Sequence, residues 1–141
     1  MKFTLTDDNQ LNPLLFGMSR DSVRKSLNSP FEAFSKDNTW LDTDSFAELG
    51  LFAYYHKDES LEAVELAHNG SALFFKGQNL FLLSYQQAKS FFEKAGFTVT
   101  LTKERVTVIS LNLCMWFPRR PENPACTSES ILVGETGYYE K

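Results

Sequence analysis

The residues in this sequence that could do chemistry are mainly paired carboxylates in the first half of the chain. Asp42 and Asp44, or Glu62 and Glu65, could act as a general acid and a general base. Such a pair hydrolyses a glycosidic or similar bond when an apolar pocket raises the pKa of one carboxyl group. Sequence spacing does not reveal such a pocket. A small carboxylate-dependent hydrolase is therefore an alternative interpretation rather than the favoured one.

The two histidines are the natural candidates for metal ligands. His56 with Asp58 and His68 would supply two nitrogens and one oxygen, but a histidine in a polar hairpin loop is more often simply exposed. Paired zinc-binding cysteines, a P-loop, a nucleophile elbow and the HExxH pattern are all missing from the sequence. We therefore predict that these residues hold no metal ion.

The distribution of charge is the most informative physical feature. The chain has 141 residues and a formal charge of −4, which is the wrong sign for a protein that mainly holds nucleic-acid phosphates. The segment 37–66 has a net charge of −7, with one cation, Lys57, and eight carboxylates: Asp37, Asp42, Asp44, Glu48, Asp58, Glu59, Glu62 and Glu65. Solubilising charge is the plain explanation of this segment. A recognition surface for a basic partner is the alternative.

Trp40 lies inside the acidic segment and could anchor an interface with an acidic rim. A buried position in the core is equally compatible with this tryptophan. The residues that we predict to contact a partner are Trp40, Asp42, Asp44, Asp58, Glu59 and Glu62.

Two helices are marked by their caps. Ser19 is a suitable N-cap for a helix that Asn28 ends and Pro30 cannot continue. Ser84 and Gln87 predict a capping box at the start of a second helix, which Gly96 ends.

The remaining segments alternate as strands do. Strands are predicted over 32–35, 49–55, 61–66, 71–76, 78–82, 97–102, 106–109, 111–117 and 131–133, with a proline-rich loop at 118–124. Hairpins with two interposed helices indicate a single α+β domain over residues 1–141, with one mostly antiparallel sheet and both helices on one face. Cys114 is expected to be buried and Cys126 exposed, both as free thiols.

Several segments together resemble bacterial immunity proteins. The first is Phe16-Gly17-Met18-Ser19 with Val23, Leu27 and Pro30, which matches the opening of several small bacterial α+β families. The others are 44–55 with 61–65, 79–85 before the second helix, and Gly137-Tyr138-Tyr139-Glu140 at the end. The chain resembles the standalone immunity proteins of contact-dependent growth inhibition and polymorphic toxin systems.

The resemblance implies a cytoplasmic protein that binds the C-terminal domain of one cognate toxin and blocks it, with no enzymatic activity and no cofactor. Many such toxins are nucleases with basic clefts, so an acidic surface would suit one, and a tRNA-directed RNase is the guess. Neither direct contact with nucleic acid nor membrane association is expected. A homodimer through a strand edge is compatible with the sequence. A ligand-binding domain with a pocket lined by Phe74, Phe75 and Phe81 is a further alternative.

Overall fold

The structure is a computed structural model of the chain and describes residues 1–35, 37 and 40–140. Within this range it has two α-helices and twelve strands. The single α+β domain and its two helices are as predicted. The helices are α1 (Arg20–Leu27) and α2 (Tyr85–Lys94). The strands are β1 (Lys2–Leu5), β2 (Leu11–Asn12), β3 (Glu32–Phe34), β4 (Thr43–Phe46), β5 (Leu51–Tyr55), β6 (Leu61–Ala67), β7 (Ala72–Phe75), β8 (Gln78–Asn79), β9 (Thr100–Leu101), β10 (Arg105–Val108), β11 (Leu113–Trp116) and β12 (Ser130–Gly134).

Eight strands form one large antiparallel sheet in the order β3-β4-β5-β6-β12-β11-β10-β9. Side chains alternate between its two faces, so paired residues such as Ala53 and Val64 lie on the same face. That face is apolar and buried, and Val133 and Leu113 continue it across β12 and β11. We call it the inner face and the opposite one the outer face.

The other four strands form a small sheet in the order β2-β1-β7-β8, in which β1 and β7 are parallel. The sequence predicts one sheet and no N-terminal strand, whereas β1 buries Phe3 and Leu5 and pairs with β7. Alternate burial of Phe3 and Leu5 fits the period of a strand, but the stretch is too short to be distinctive. Both sheets and both helices contribute side chains to one hydrophobic cluster.

The caps place both helices where the sequence predicts them. The Ser19 hydroxyl accepts a hydrogen bond from the Ser22 amide at 3.1 Å, and Asn28 adopts a left-handed conformation with φ of 44°. The Ser84 hydroxyl accepts from the Gln87 amide, and the Gln87 side chain accepts from the Ser84 amide, which completes the capping box.

Phenylalanine rings fill the space between α2 and the small sheet. Phe75 is fully buried, and its ring centroid lies 5.7–6.4 Å from those of Phe91, Phe92 and Phe97. Phe81 is also buried, and the Lys2 ammonium lies 4.4 Å from the ring centroid of Phe74. Phe75 and Phe81, which the ligand-binding alternative assigns to a pocket wall, are therefore core residues.

Several predicted strands are shorter in the structure. In the segment 97–102 only Thr100–Leu101 is a strand, and in 78–82 a 3-10 helix over Leu80–Leu82 follows Gln78–Asn79. Strand β4 is absent from the prediction because its sequence, Thr-Asp-Ser-Phe, lacks the apolar alternation of a strand. Cys126 is buried rather than exposed, although a proline-rich loop precedes it.

Candidate functional site

One end of the large sheet holds four of the eight carboxylates of the acidic segment. Leu41, Asp42, the β5–β6 loop 56–60, Glu62 and Glu135 form this end, which we call the hairpin end. Backbone hydrogen bonds hold it together. The Tyr55 amide donates to the Asp42 carbonyl at 2.9 Å, and the Glu135 amide donates to the Glu62 carbonyl at 2.9 Å. The first turn of α1 joins the same end, since the Arg20 amide donates to the Glu59 carbonyl at 2.9 Å.

Asp44 lies beneath the hairpin end and is fully buried. Arg24 donates two hydrogen bonds to its carboxylate, from Nε and Nη2, both at 2.8 Å. The Tyr55 hydroxyl donates to Oδ2 at 3.0 Å. The hydrogen bond to Asp44 raises the pKa of the Arg24 guanidinium above its ordinary value. Burial is the main cause that raises the pKa of the Tyr55 phenol, and the negative charge of Asp44 is the second. Arg24 therefore stays charged at neutral pH.

Arg20 connects this buried carboxylate to the surface. Its Nε lies 3.7 Å from Asp44 Oδ2, and its Nη1 lies 3.3 Å from Glu59 Oε1. The guanidinium also stacks over the Tyr55 ring at 4.3 Å and donates to the Leu41 carbonyl. Arg20 and Arg24 are four residues apart on α1, so the helical period places both on the face that meets β4.

The surface role predicted for Asp42 and Asp44 does not agree with their positions. Both carboxylates are buried. Two arginines of α1 cover Asp44, and Asp42 Oδ1 accepts a hydrogen bond from the Thr43 hydroxyl at 2.9 Å. Trp40 is half-buried and packs against the hydrophobic cluster. The acidic segment therefore does not form one continuous solvent-facing patch.

Asp58 and Glu59 are the two predicted contact residues that are exposed at the hairpin end. The Ser60 hydroxyl and amide donate to the Asp58 carboxylate at 2.6 and 3.0 Å, and these bonds hold the pKa of Asp58 below its ordinary value. Leu41 is 54% exposed and lies in the same region. An exposed leucine beside fixed carboxylates suits contact with a protein that is basic at its surface.

An aromatic strip lies on the outer face next to the hairpin end, and we define it as Phe34, Phe52 and Tyr54. Phe34 and Phe52 are each 37% exposed, with ring centroids 6.0 Å apart, and the Phe52 and Tyr54 rings stack at 6.5 Å. The Tyr54 hydroxyl donates to Glu65 at 2.7 Å. This strip, which the sequence analysis missed, follows from the register that pairs Phe34 with Thr43 and Thr43 with Tyr54.

His56 lies between two carboxylates at the hairpin end. Its Nδ1 is 3.2 Å from Glu62 Oε2, and its Nε2 is 2.8 Å from Glu135 Oε1. The metal set considered from the sequence, His56 with Asp58 and His68, is not assembled, because His68 lies at the opposite end of β6. No sequence pattern relates Glu135 to His56, since β12 brings them together only in the fold.

The carboxylate pairs considered for hydrolysis have separate partners in the structure. Glu62 faces His56, whereas Glu65 accepts the Tyr54 hydroxyl on the outer face. Asp44 is held by the arginines of α1.

The chain matches no protein-family model, no curated protein and no solved structure. Among the described residues no helix has the length and apolar character that crossing a membrane requires, and the longer helix, α2, has 10 residues.

Proposed function

We propose that this protein is a non-catalytic, cytoplasmic immunity protein that binds and neutralises the C-terminal domain of a cognate toxin. The family resemblance in the sequence suggests this role. In the structure, the hairpin end supports it by placing exposed carboxylates beside an exposed leucine and an aromatic strip. Aromatic anchors with a charged rim are typical of protein interfaces.

The charge of the hairpin end favours a basic partner. Six carboxylates lie there or just beneath it, against Arg20, Arg24 and Lys57: Asp42, Asp44, Asp58, Glu59, Glu62 and Glu135. The two arginines are occupied by Asp44 and Glu59, and the Asp58 carboxylate is exposed at the tip of the loop. A nuclease cleft is basic because it binds phosphates, so we propose a nuclease toxin, with a tRNA-directed RNase as the more specific candidate.

Asp58 and Glu59 would act mainly on the rate of association. Exposed charges steer a basic partner toward the hairpin end before contact, and salt screens this attraction. Leu41 and the aromatic strip would then supply the apolar contact that slows dissociation. Asp42 and Asp44 are buried and are therefore not proposed as contacts.

The first experiment is co-expression with the C-terminal fragment encoded by the gene immediately upstream. The proposed function predicts that this protein restores growth and co-purifies with the fragment. If growth is not restored and no complex forms, the proposed function fails.

The second experiment assigns the contact surface. Replacing Asp58→Asn and Glu59→Gln together should slow association with the fragment about 10-fold at low salt, with a smaller effect at high salt. The matched control is Glu48→Gln with Glu122→Gln, which removes the same charge from exposed positions away from the hairpin end. Glu48 belongs to the same acidic segment but follows β4 at the other end of the sheet. Equal slowing in both variants would contradict a recognition surface at the hairpin end.

A further inference from the structure

The histidine between Glu62 and Glu135 has the chemistry of a metal ligand. One nitrogen and two oxygen donors lie within 4.8 Å of one another, and the three residues come from the β5–β6 loop, β6 and the segment after β12. A mixed nitrogen and oxygen set suits Zn²⁺ and its neighbours in the transition series better than Mg²⁺ or Ca²⁺, which take oxygen ligands.

The two nitrogens of His56 have different surroundings. Glu135 Oε1 lies 2.8 Å from Nε2, and a carboxylate can only accept a hydrogen bond, so Nε2 carries a proton that it donates to Glu135. A metal-bound histidine commonly has such a carboxylate on its second nitrogen, where it fixes the ring and makes the ligand nitrogen more basic. Nδ1 is then the nitrogen that can take a metal.

Glu62 lies where a second ligand to the same ion should be. Its Oε2 is 3.2 Å from His56 Nδ1. Two ligands at the usual zinc distance in a tetrahedral site are separated by about 3.3 Å, so both atoms can reach one ion with little movement.

The backbone around these side chains is well fixed. The Glu62 carbonyl accepts the Glu135 amide at 2.9 Å, and the Glu135 carbonyl accepts the Tyr138 amide at 2.9 Å. The Tyr138 ring packs directly on Gly134, where a Cβ atom would collide with it. At the loop, the His56 amide donates to the Ser60 carbonyl at 2.9 Å. The backbone that carries the three side chains is therefore held in place by the fold itself.

The ligand types and exposure of the cluster also suit a divalent cation. Two carboxylate side chains, those of Glu62 and Glu135, lie against one imidazole, and carboxylate oxygens and imidazole nitrogens are both ligands of Zn²⁺. The side chains of His56, Glu62 and Glu135 are 33%, 23% and 23% exposed. They are thus partly desolvated but open enough for an ion to enter with water as its remaining ligands.

We infer that this protein binds one Zn²⁺ ion at the hairpin end through His56 Nδ1 and Glu62, with Glu135 as the residue that positions the imidazole. Zinc takes the lone pair of Nδ1, and any proton on that nitrogen goes to solvent. This inference does not depend on a toxin partner.

The test is calorimetric titration of the untagged protein with ZnCl₂, alongside MgCl₂. We expect one Zn²⁺ per chain, a higher melting temperature with zinc, weaker binding at acidic pH, and no comparable binding of Mg²⁺. His56→Gln and Glu62→Gln should abolish the binding, and Glu135→Gln should weaken it by about 10- to 100-fold. Visible spectra with Co²⁺ in place of zinc should lose the same signal in the same variants.

The matched controls are His68→Gln, which removes the other histidine, and Glu48→Gln, which removes an exposed carboxylate at the other end of the sheet. Both should bind zinc as the unaltered protein does. Circular dichroism without metal checks that each variant is folded. Absence of zinc binding, survival of binding in His56→Gln, or equal loss in His68→Gln would each overturn the inference.

Discussion

At the scale of single residues, the buried contact between Asp44 and two arginines sets how α1 meets the large sheet. Removing one member of a buried ion pair leaves the other charge without compensation, which costs about 3–5 kcal/mol. Asp44 is fully buried, while the Arg24 side chain is 28% exposed, which lets water compensate part of the loss. Asp44→Ala should therefore lower the free energy of unfolding by about 3 kcal/mol, measured by urea denaturation.

Glu48→Ala is the control for this prediction. Glu48 belongs to the same acidic segment but is exposed, so its removal should change the free energy of unfolding by no more than about 0.5 kcal/mol. If Asp44→Ala were as mild as Glu48→Ala, the contact between Asp44 and α1 would contribute little to stability. Spacing in the sequence does not separate these two residues, because burial depends on the helix that packs above Asp44.

At the scale of elements, the capping box of α2 should contribute measurably to stability. Ser84→Ala removes the hydroxyl that accepts the Gln87 amide, and loss of an N-cap costs about 1 kcal/mol. Ser90→Ala is the matched control, since Ser90 is exposed within the same helix and alanine favours helix formation. Urea denaturation should show a loss of about 1 kcal/mol for Ser84→Ala, and none for Ser90→Ala. A similar effect of both changes would contradict the capping role.

The helices were predictable from local signals, whereas several strands were not. Ser19, Asn28, Ser84 and Gln87 interact with amides only a few residues away, so their patterns are readable in the sequence. Strand β4 is held by β3 and β5, and its buried Asp44 departs from the apolar alternation of a strand. Likewise, the contact between His56 and Glu135 joins residues 79 positions apart, and only the pairing of β12 with β6 creates it.

At the scale of the whole molecule, folding redistributes the charge that is concentrated in the sequence. Part of the acidic segment is neutralised inside the fold, as Asp44 is by α1, and Glu48 lies at the other end of the sheet from Asp58. The exposed charge at the hairpin end therefore depends on a few positions rather than on the segment as a whole. The net charge of a sequence indicates the charge that a partner's surface should have, but the fold decides where that partner can make contact.

Three partly or fully buried tyrosines determine how the stability of the folded protein changes at high pH. Burial is the main reason that the pKa values of Tyr54, Tyr55 and Tyr139 lie above their ordinary value, followed by the Glu65 hydrogen bond for Tyr54 and the Asp44 charge for Tyr55. The folded protein keeps these phenolic protons, whereas the unfolded chain loses them above about pH 10. The unfolded state then binds fewer protons than the folded state, so stability falls as the pH rises further.

At neutral pH we expect the ionisation of these tyrosines to have no effect on the free energy of unfolding. Above about pH 10 the free energy of unfolding should decrease by about 1.4 kcal/mol per pH unit for each phenol that ionises only on unfolding. Urea denaturation at about pH 8 and about pH 11 measures the decrease, and tyrosinate absorbance should rise together with the loss of circular dichroism. Tyr54→Phe and Tyr55→Phe should each make the decrease shallower, because each removes one such proton. Tyrosinate absorbance that rises fully while the fold persists would contradict this coupling between the buried phenols and the native state.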